Sequence, residues 1–409
     1  MYLILNFLYL YVFQYDMMKK ILFFYLIFFS ILSFSQTKEI VLIFKDKTTG
    51  NVIENVMVSI LRTDENFQSN KEGSIKFKLP KPSRIVVSHF EYKQLTLNSA
   101  TLKESEIVVT LESISQEIED IVITNKQSFS ILKSLINKSM KQLTAPINLK
   151  IYTREFFKYN NEYTSYSDGL VNFCLKEKPD KFAADILVEQ NRTYNLINNE
   201  KIEKKTLSYN MYDIIQNYYD FKYITQLAES KAKKKFDFEI KTVKGKEDFY
   251  QMVIAPKPEI EEFLPTVTII YNFKKNVILE LEYFVEPSRF EFSDVSNLKV
   301  IKGKVFNSTF RALYILDGED YFLASTKEEI GVMVKDKKNA ENKIEIANYL
   351  MTTRHSRKFV PYDKSDVFKE KSLINKKNSI ITDYWEVNSG LLLTSDEKKI
   401  VDNLQLNDE

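Results

Sequence analysis

From Glu39 onward, apolar and polar residues alternate with a period of two over short runs that end in polar turns. Alternation sends successive side chains to opposite faces of a strand, so a chain written this way builds sheets with one face in a core. Val41 and Ile43 alternate with Leu42 and Phe44 ahead of Asp46-Lys47-Thr48-Thr49-Gly50, a turn signal. Val56, Val58 and Ile60 share a face of the next run, and Ile75, Phe77 and Leu79 share a face of a third, which stops at Pro80. Ile85, Val87 and His89, then Ile107, Val109 and Leu111, continue the series. Short strands at about 10–15-residue spacing predict an antiparallel sandwich over residues 37–124.

Residues 125–409 add helices to the strands. Leu132, Leu135, Ile136, Ser139, Met140 and Leu143 fall on one helical face, which predicts an amphipathic helix over Ser128–Leu143. A second helical stripe runs from Leu207 through Met211, Ile214, Ile215 and Tyr218 to Ile224. Strands are expected at Lys150–Tyr159 and Glu162–Leu175 around an Asn160-Asn161 turn, then at Phe236–Lys241 and Phe249–Ile254. Thr266–Phe273 and Val277–Val285 flank a hairpin tip at Lys274-Lys275-Asn276. Four shorter strands follow near Leu298–Phe306, Arg311–Leu316, Tyr321–Ser325 and Ile330–Val334, with Asp317-Gly318 as a turn. Thr394-x-x-Glu397 reads as a capping box opening a last helix.

Composition removes several classes of function. The 409 residues carry 58 basic and 56 acidic side chains, a net charge of +2, which leaves no electrostatic footprint for nucleic acid. No two of the eight glycines lie within ten residues of each other, so a glycine-rich phosphate loop is excluded, and no Gly-x-Ser-x-Gly elbow occurs. The single cysteine, Cys174, permits neither an intrachain disulfide nor a thiolate metal cluster, and is read as a buried apolar side chain. Trp385 is expected to dock the terminus on the sheet, and Arg354-His355-Ser356-Arg357-Lys358 to lie in a solvated loop.

At the N-terminus, Met18-Lys19-Lys20 followed by the apolar run Ile21–Phe34 reads as a secretory signal. The run is shorter than the roughly 20 residues a spanning helix needs. Ser33-Phe34-Ser35 supplies small residues for cleavage before Gln36. Residues 1–35 are therefore expected to be removed, with translation starting at Met17 or Met18, and no cysteine follows the run to take a lipid.

The motifs Asp46-x-x-Thr49-Gly50-x-x-Ile53-x-x-Val56-x-Val58, Asn70-Lys71-Glu72-Gly73-x-Ile75-x-Phe77-x-Leu79 and Val86-Val87-Ser88-His89-Phe90-Glu91-Tyr92 resemble the carboxypeptidase regulatory-like domain. That resemblance implies a transthyretin-like, seven-stranded sandwich of the kind found near the start of Gram-negative envelope proteins. Glu91 departs from it, since the family usually has glycine before the tyrosine. A zinc carboxypeptidase needs two histidines and a carboxylate on its metal. Only His89 and His355 are present, neither in a His-x-x-Glu context, so peptidase chemistry of that type is excluded and His89 is read as a packed core residue. Glu117–Thr124 is similar to the acidic-then-β segment that often follows the domain.

The expected fold is mainly β: a small seven-stranded sandwich, then an α+β region with a large curved antiparallel sheet and covering helices. The expected function is that of an exported, non-enzymatic cell-envelope protein, periplasmic or associated with the outer membrane or cell surface. It would bind or scaffold an envelope protein, glycan or lipid, with no nucleic acid partner and no transmembrane span in the mature chain. The alternative is a periplasmic carrier or sensor of a lipid or other apolar ligand in a half-open β-barrel. A weaker third option is a hydrolase built on a carboxylate pair. No catalytic, cofactor-binding or metal-binding residues, and no cofactor, are assigned.

Overall fold

The computed structural model describes residues 17–20, 38–114, 121–123, 125–176, 182–196, 210–243, 246, 248–293, 303–335, 340–370, 372–387 and 389–408. The apolar run of the export signal, its cleavage point, residues 1–16, the acidic stretch 115–120, Leu207, residues 298–302 and Asn388 lie outside them.

The alternating runs become β1 (Lys38–Asp46), β2 (Met57–Ile60), β3 (Glu65–Gln68), β4 (Ser74–Leu79), β5 (Arg84–His89), β6 (Tyr92–Asn98) and β7 (Glu106–Leu111). They form two sheets, β4-β1-β7 and β3-β2-β5-β6, with β1 parallel to β7 and every other pair antiparallel. Leu42, Phe44, Val58, Phe77 and Val87, all fully buried, centre the core between them. Its turns are closed locally: Asp46 Oδ1 accepts from the amides of Thr48 (2.8 Å) and Thr49 (2.7 Å). Gly73 has φ +72°, and a Cβ there would lie 2.8 Å from the carbonyl oxygen of Phe44, so the β3–β4 turn requires glycine.

The rest of the chain builds one large curved sheet. Its strands are β8 (Ile121–Ile123), β9 (Ile147–Tyr159), β10 (Glu162–Leu175), β11 (Ala184–Asn195), β12 (Phe236–Thr242), β13 (Phe249–Pro256), β14 (Thr266–Asn272), β15 (Val277–Phe284), β16 (Gly303–Asp317), β17 (Asp320–Lys335) and β18 (Glu341–Ser356). Their order is β11-β10-β9-β18-β17-β16-β15-β14-β13-β12-β8, antiparallel throughout. β12 to β18 form a meander, and β9–β11 extend it beyond β18. The Asn160-Asn161 turn joins β9 to β10 with both residues at positive φ (51° and 70°), the geometry of a tight two-residue hairpin.

Two faces of this sheet bury two cores. On one, α1 (Asn125–Gln142) and α2 (Met211–Tyr219) pack with Leu149, Val171, Phe238, Ile254 and Ile269. On the other, α3 (Ser395–Asp408), the turn Tyr384–Val387 and the sandwich residue Met57 pack with Tyr152, Tyr166, Leu170 and Met351. No helix of the described residues is long and apolar enough to cross a membrane.

Several boundaries differ from the expectations. The second helix breaks at Phe221, which sits in the left-handed region (φ 46°), before a short turn at Lys222–Thr225. The paired short strands expected around Ser308 and Thr326 are two long strands, β16 and β17, each continuous through buried polar residues. Arg354, His355 and Ser356 end β18 and are not loop. Cys174 is buried as expected, and burial pushes its thiol up to about 11.

Candidate binding cleft

The sandwich meets the second face of the large sheet only in part, and a cleft of about 730 Å³ remains between them. That is within the ~300–1,000 Å³ typical of small-molecule sites. Its sandwich wall is the β5–β6 turn with β6, and its floor is the outward face of β14 to β16. Ile270, Glu280 and Leu313 are direct cross-strand partners there, so all three point into it. Phe90, Phe249, Ile315 and Leu316 make the lining largely apolar.

His89 lines this cleft from the end of β5, half-buried at the edge of the sandwich core. The β5–β6 register shifts between Val87 and His89, with the extra residue on β6, so His89 stands opposite Tyr92 where the strands part. Its Nδ1 accepts from the amide of Glu91 (3.1 Å), and its ring packs edge-on against Tyr92. Burial, together with the positive charges of Arg311 and Lys246, holds the imidazole neutral down to about pH 3.

Lys246 fastens the two parts. Its Nζ donates to the carbonyls of His89 (3.0 Å) and Phe90 (2.7 Å), capping the β5–β6 turn from the β12–β13 connection. Burial lowers this lysine to about 8. Glu280 and Arg311 form an ion pair (Nη2–Oε1 2.5 Å), and burial raises the Glu280 carboxyl even though Arg311 opposes it. The Nε of Arg311 is buried with no hydrogen-bond acceptor. None of Lys246, Glu280 and Arg311 belongs to a recognisable motif, because strand pairing joins Glu280 to Arg311 and tertiary docking brings in Lys246, residues far apart in the chain.

The other singled-out residues lie elsewhere. His355 Nε2 is 3.6 and 3.7 Å from the carboxylates of Asp317 and Asp320, with its ring on Phe322. Arg354 pairs with Glu65 of the sandwich (2.8 Å), and Arg357 with Asp320 (2.6 Å), so these cations are engaged within the chain. Trp385 docks on the sheet under the Arg192 guanidinium, 4.1 Å from the ring centroid. A second cavity of about 370 Å³ mixes Lys71 and Lys158 with Glu329, Glu345 and Asp396. Among the described residues, no group of three or more His, Cys, Asp or Glu side chains is placed to hold a metal ion.

No protein-family model and no curated protein matches the chain. Among solved structures, it is similar to a DUF1329 family protein from Desulfovibrio piger, at 7% identity over 56% of this chain and 94% of that one, with a TM-score of 0.24. It is also similar to a protein of unknown function from Bacteroides fragilis, provisionally described as membrane-associated. That likeness has 8% identity over 78% of this chain and 98% of that one, with a TM-score of 0.16. Likenesses this slight carry no argument about function.

Proposed function

We propose that this is an exported, non-enzymatic cell-envelope protein that binds a ligand between a regulatory-like sandwich and the outward face of its large sheet. The observation that carries the reading is the cleft of about 730 Å³ between them, apolar in its floor and bordered by a few polar groups. Export rests on the Met18–Phe34 pattern of the sequence. Binding is favoured over a carboxylate-pair hydrolase because Glu280, the one carboxylate lining the cleft among the described residues, is ion-paired to Arg311. His89, whose Nδ1 accepts from a backbone amide and whose ring stays neutral to about pH 3, is too weak a base to serve as the partner.

The carrier reading survives in altered form. A half-open barrel would hold its ligand beneath the covering helices, but there the side chains of α1 and α2 interlock with the sheet in a continuous core. The space for a ligand is on the opposite face.

The test is to purify the full-length protein from its native envelope, extract it and identify bound small molecules by mass spectrometry. Gln94, exposed on β6 at the cleft wall, provides the blocking variant Gln94→Trp. A molecule bound by the wild type and lost from Gln94→Trp supports the proposal. No bound molecule, or one retained by the variant, overturns it.

A further inference from the structure

Among the described residues, four cations and one carboxylate line the cleft: Lys93, Lys246, Lys275 and Arg311 against Glu280. Two of the cations are neutralised nearby, Lys93 by Glu112 (2.5 Å) and Arg311 by Glu280. Lys246 gives two of its three donors to carbonyl oxygens, which carry no net charge, and Glu280 attracts it from outside ion-pair range. Lys275 stands exposed at the rim, and among the described residues no carboxylate lies in ion-pair range of either lysine. The apolar floor of Phe249, Ile270, Leu279 and Leu313 lines the same cleft as these charges. Buried apolar surface there gains about 25 cal/mol per Å² on covering, while the uncancelled charges above it are costly to cover with anything neutral.

We propose that the cleft takes a single-chain anionic amphiphile, its hydrocarbon tail on the floor of β14–β16 and its acidic head between Lys246 and Lys275. This rests on the cleft being the working site. A neutral or cationic amphiphile gains the same floor and forfeits the charge-assisted hydrogen bonds at its head. Two-chain lipids are too bulky for the volume.

The test compares palmitate with methyl palmitate, which share a tail and differ in charge, by titration calorimetry on the full chain. Palmitate is expected to bind at one per chain and the ester about tenfold or more weakly, the equivalent of one charge-assisted hydrogen bond. Lys246→Gln keeps a donor for the His89 and Phe90 carbonyls, and Lys275→Gln alters only an exposed side chain. Each is expected to weaken palmitate about tenfold while leaving the ester unchanged. Equal binding of acid and ester, or no saturable binding of palmitate, overturns the amphiphile assignment. The Gln94→Trp extraction then decides separately whether the cleft binds some other molecule.

Discussion

Arg192 and Asp168 are direct cross-strand partners on β11 and β10, and the guanidinium grips the carboxylate through Nε (2.9 Å to Oδ1) and Nη2 (3.0 Å to Oδ2). Asp168 is fully buried and also accepts from the hydroxyls of Tyr152 (3.0 Å), Tyr166 (2.6 Å) and Tyr384 (2.8 Å). Three strands and the C-terminal turn therefore converge on one carboxylate, with Trp385 stacked over the arginine. Asp168→Asn keeps the shape and strands a buried guanidinium, a change that costs about 3–5 kcal/mol. Trp385 is the sole tryptophan, so its emission reports this site directly. Urea unfolding followed at Trp385 is expected to move to a lower midpoint by that margin, and an unmoved midpoint would refute the ion pair's role.

On the opposite face, Glu328 of β17 is fully buried and accepts from Tyr223 (3.0 Å), while its Oε2 has no partner. Burial raises this carboxyl from 4.5 to about 7. Below pH 4.5 both folded and unfolded states hold the proton. Between 4.5 and about 7 the unfolded chain releases it first, so stability is lost as pH rises. At about 1.4 kcal/mol per tenfold the loss reaches about 3 kcal/mol above pH 7. Glu328→Gln is expected to match the wild type at pH 4.5 and exceed it by about that amount at pH 8, measured by urea unfolding at each pH. A difference that does not change with pH would exclude the raised carboxyl.

Glu328 also shows where the sequence could be read and where it could not. Lys327-Glu328-Glu329 has the look of a solvated strand face, yet Glu328 pairs across the strands with Asn348, Asn348 with Glu155, Glu155 with Ser167 and Ser167 with Thr193. All five are buried. This polar row erases the apolar alternation from β11 and β18, two of the strands that periodicity does not reveal. The same effect splits β16 and β17 into apparent fragments. Where local chemistry decides, the reading holds: Thr394 and Glu397 exchange the reciprocal bonds of a capping box (3.2 and 2.8 Å). The cleft was invisible because its lysines and Arg311 meet only through tertiary docking, and because nothing in the β5 pattern shows that His89 ends its strand at the cleft.

The position of His89 makes a spectroscopic prediction. Its imidazole stays neutral to about pH 3, against an ordinary value of 6.5. Below pH 6.5 the unfolded chain takes up a proton that the folded chain refuses, so this histidine removes stability as pH falls. Of the two imidazole signals in a proton NMR titration, the one lost in His89→Gln is expected to show no shift between pH 8 and pH 4. A midpoint near pH 6.5 for that signal would mean that the ring is free in solvent and that the cleft wall is open there.

The last prediction concerns how the sandwich is held. Gly390 lies at φ +74° between the sandwich and β18, its carbonyl accepting from the amide of Gln68 (2.7 Å). Asn70 Nδ2 donates to the Leu393 carbonyl (3.3 Å), and the amide of Ser395 donates to Glu72 (2.9 Å), so residues 390–395 strap β3 and the β3–β4 turn to the sheet. A Cβ on Gly390 would sit 2.7 Å from Thr353 Cγ2. Gly390→Ala thus carries two costs, about 1–2 kcal/mol for the left-handed backbone and a further steric one against Thr353. Thr353→Ser deletes the offending methyl while keeping the hydroxyl that donates to Lys150 (3.1 Å). In the double variant the clash with Thr353 is expected to be relieved, while the backbone cost and the 3.2 Å approaches to the Asn66 carbonyl and Met351 Cγ remain, a coupling that a double-mutant cycle resolves. Hydrogen exchange adds a local readout, since the Gln68 amide loses its acceptor when the strap loosens. Faster exchange at Gln68 in Gly390→Ala, with partial recovery in the double variant, is the expected outcome; unchanged protection in both would show that the strap does not hold the sandwich in place.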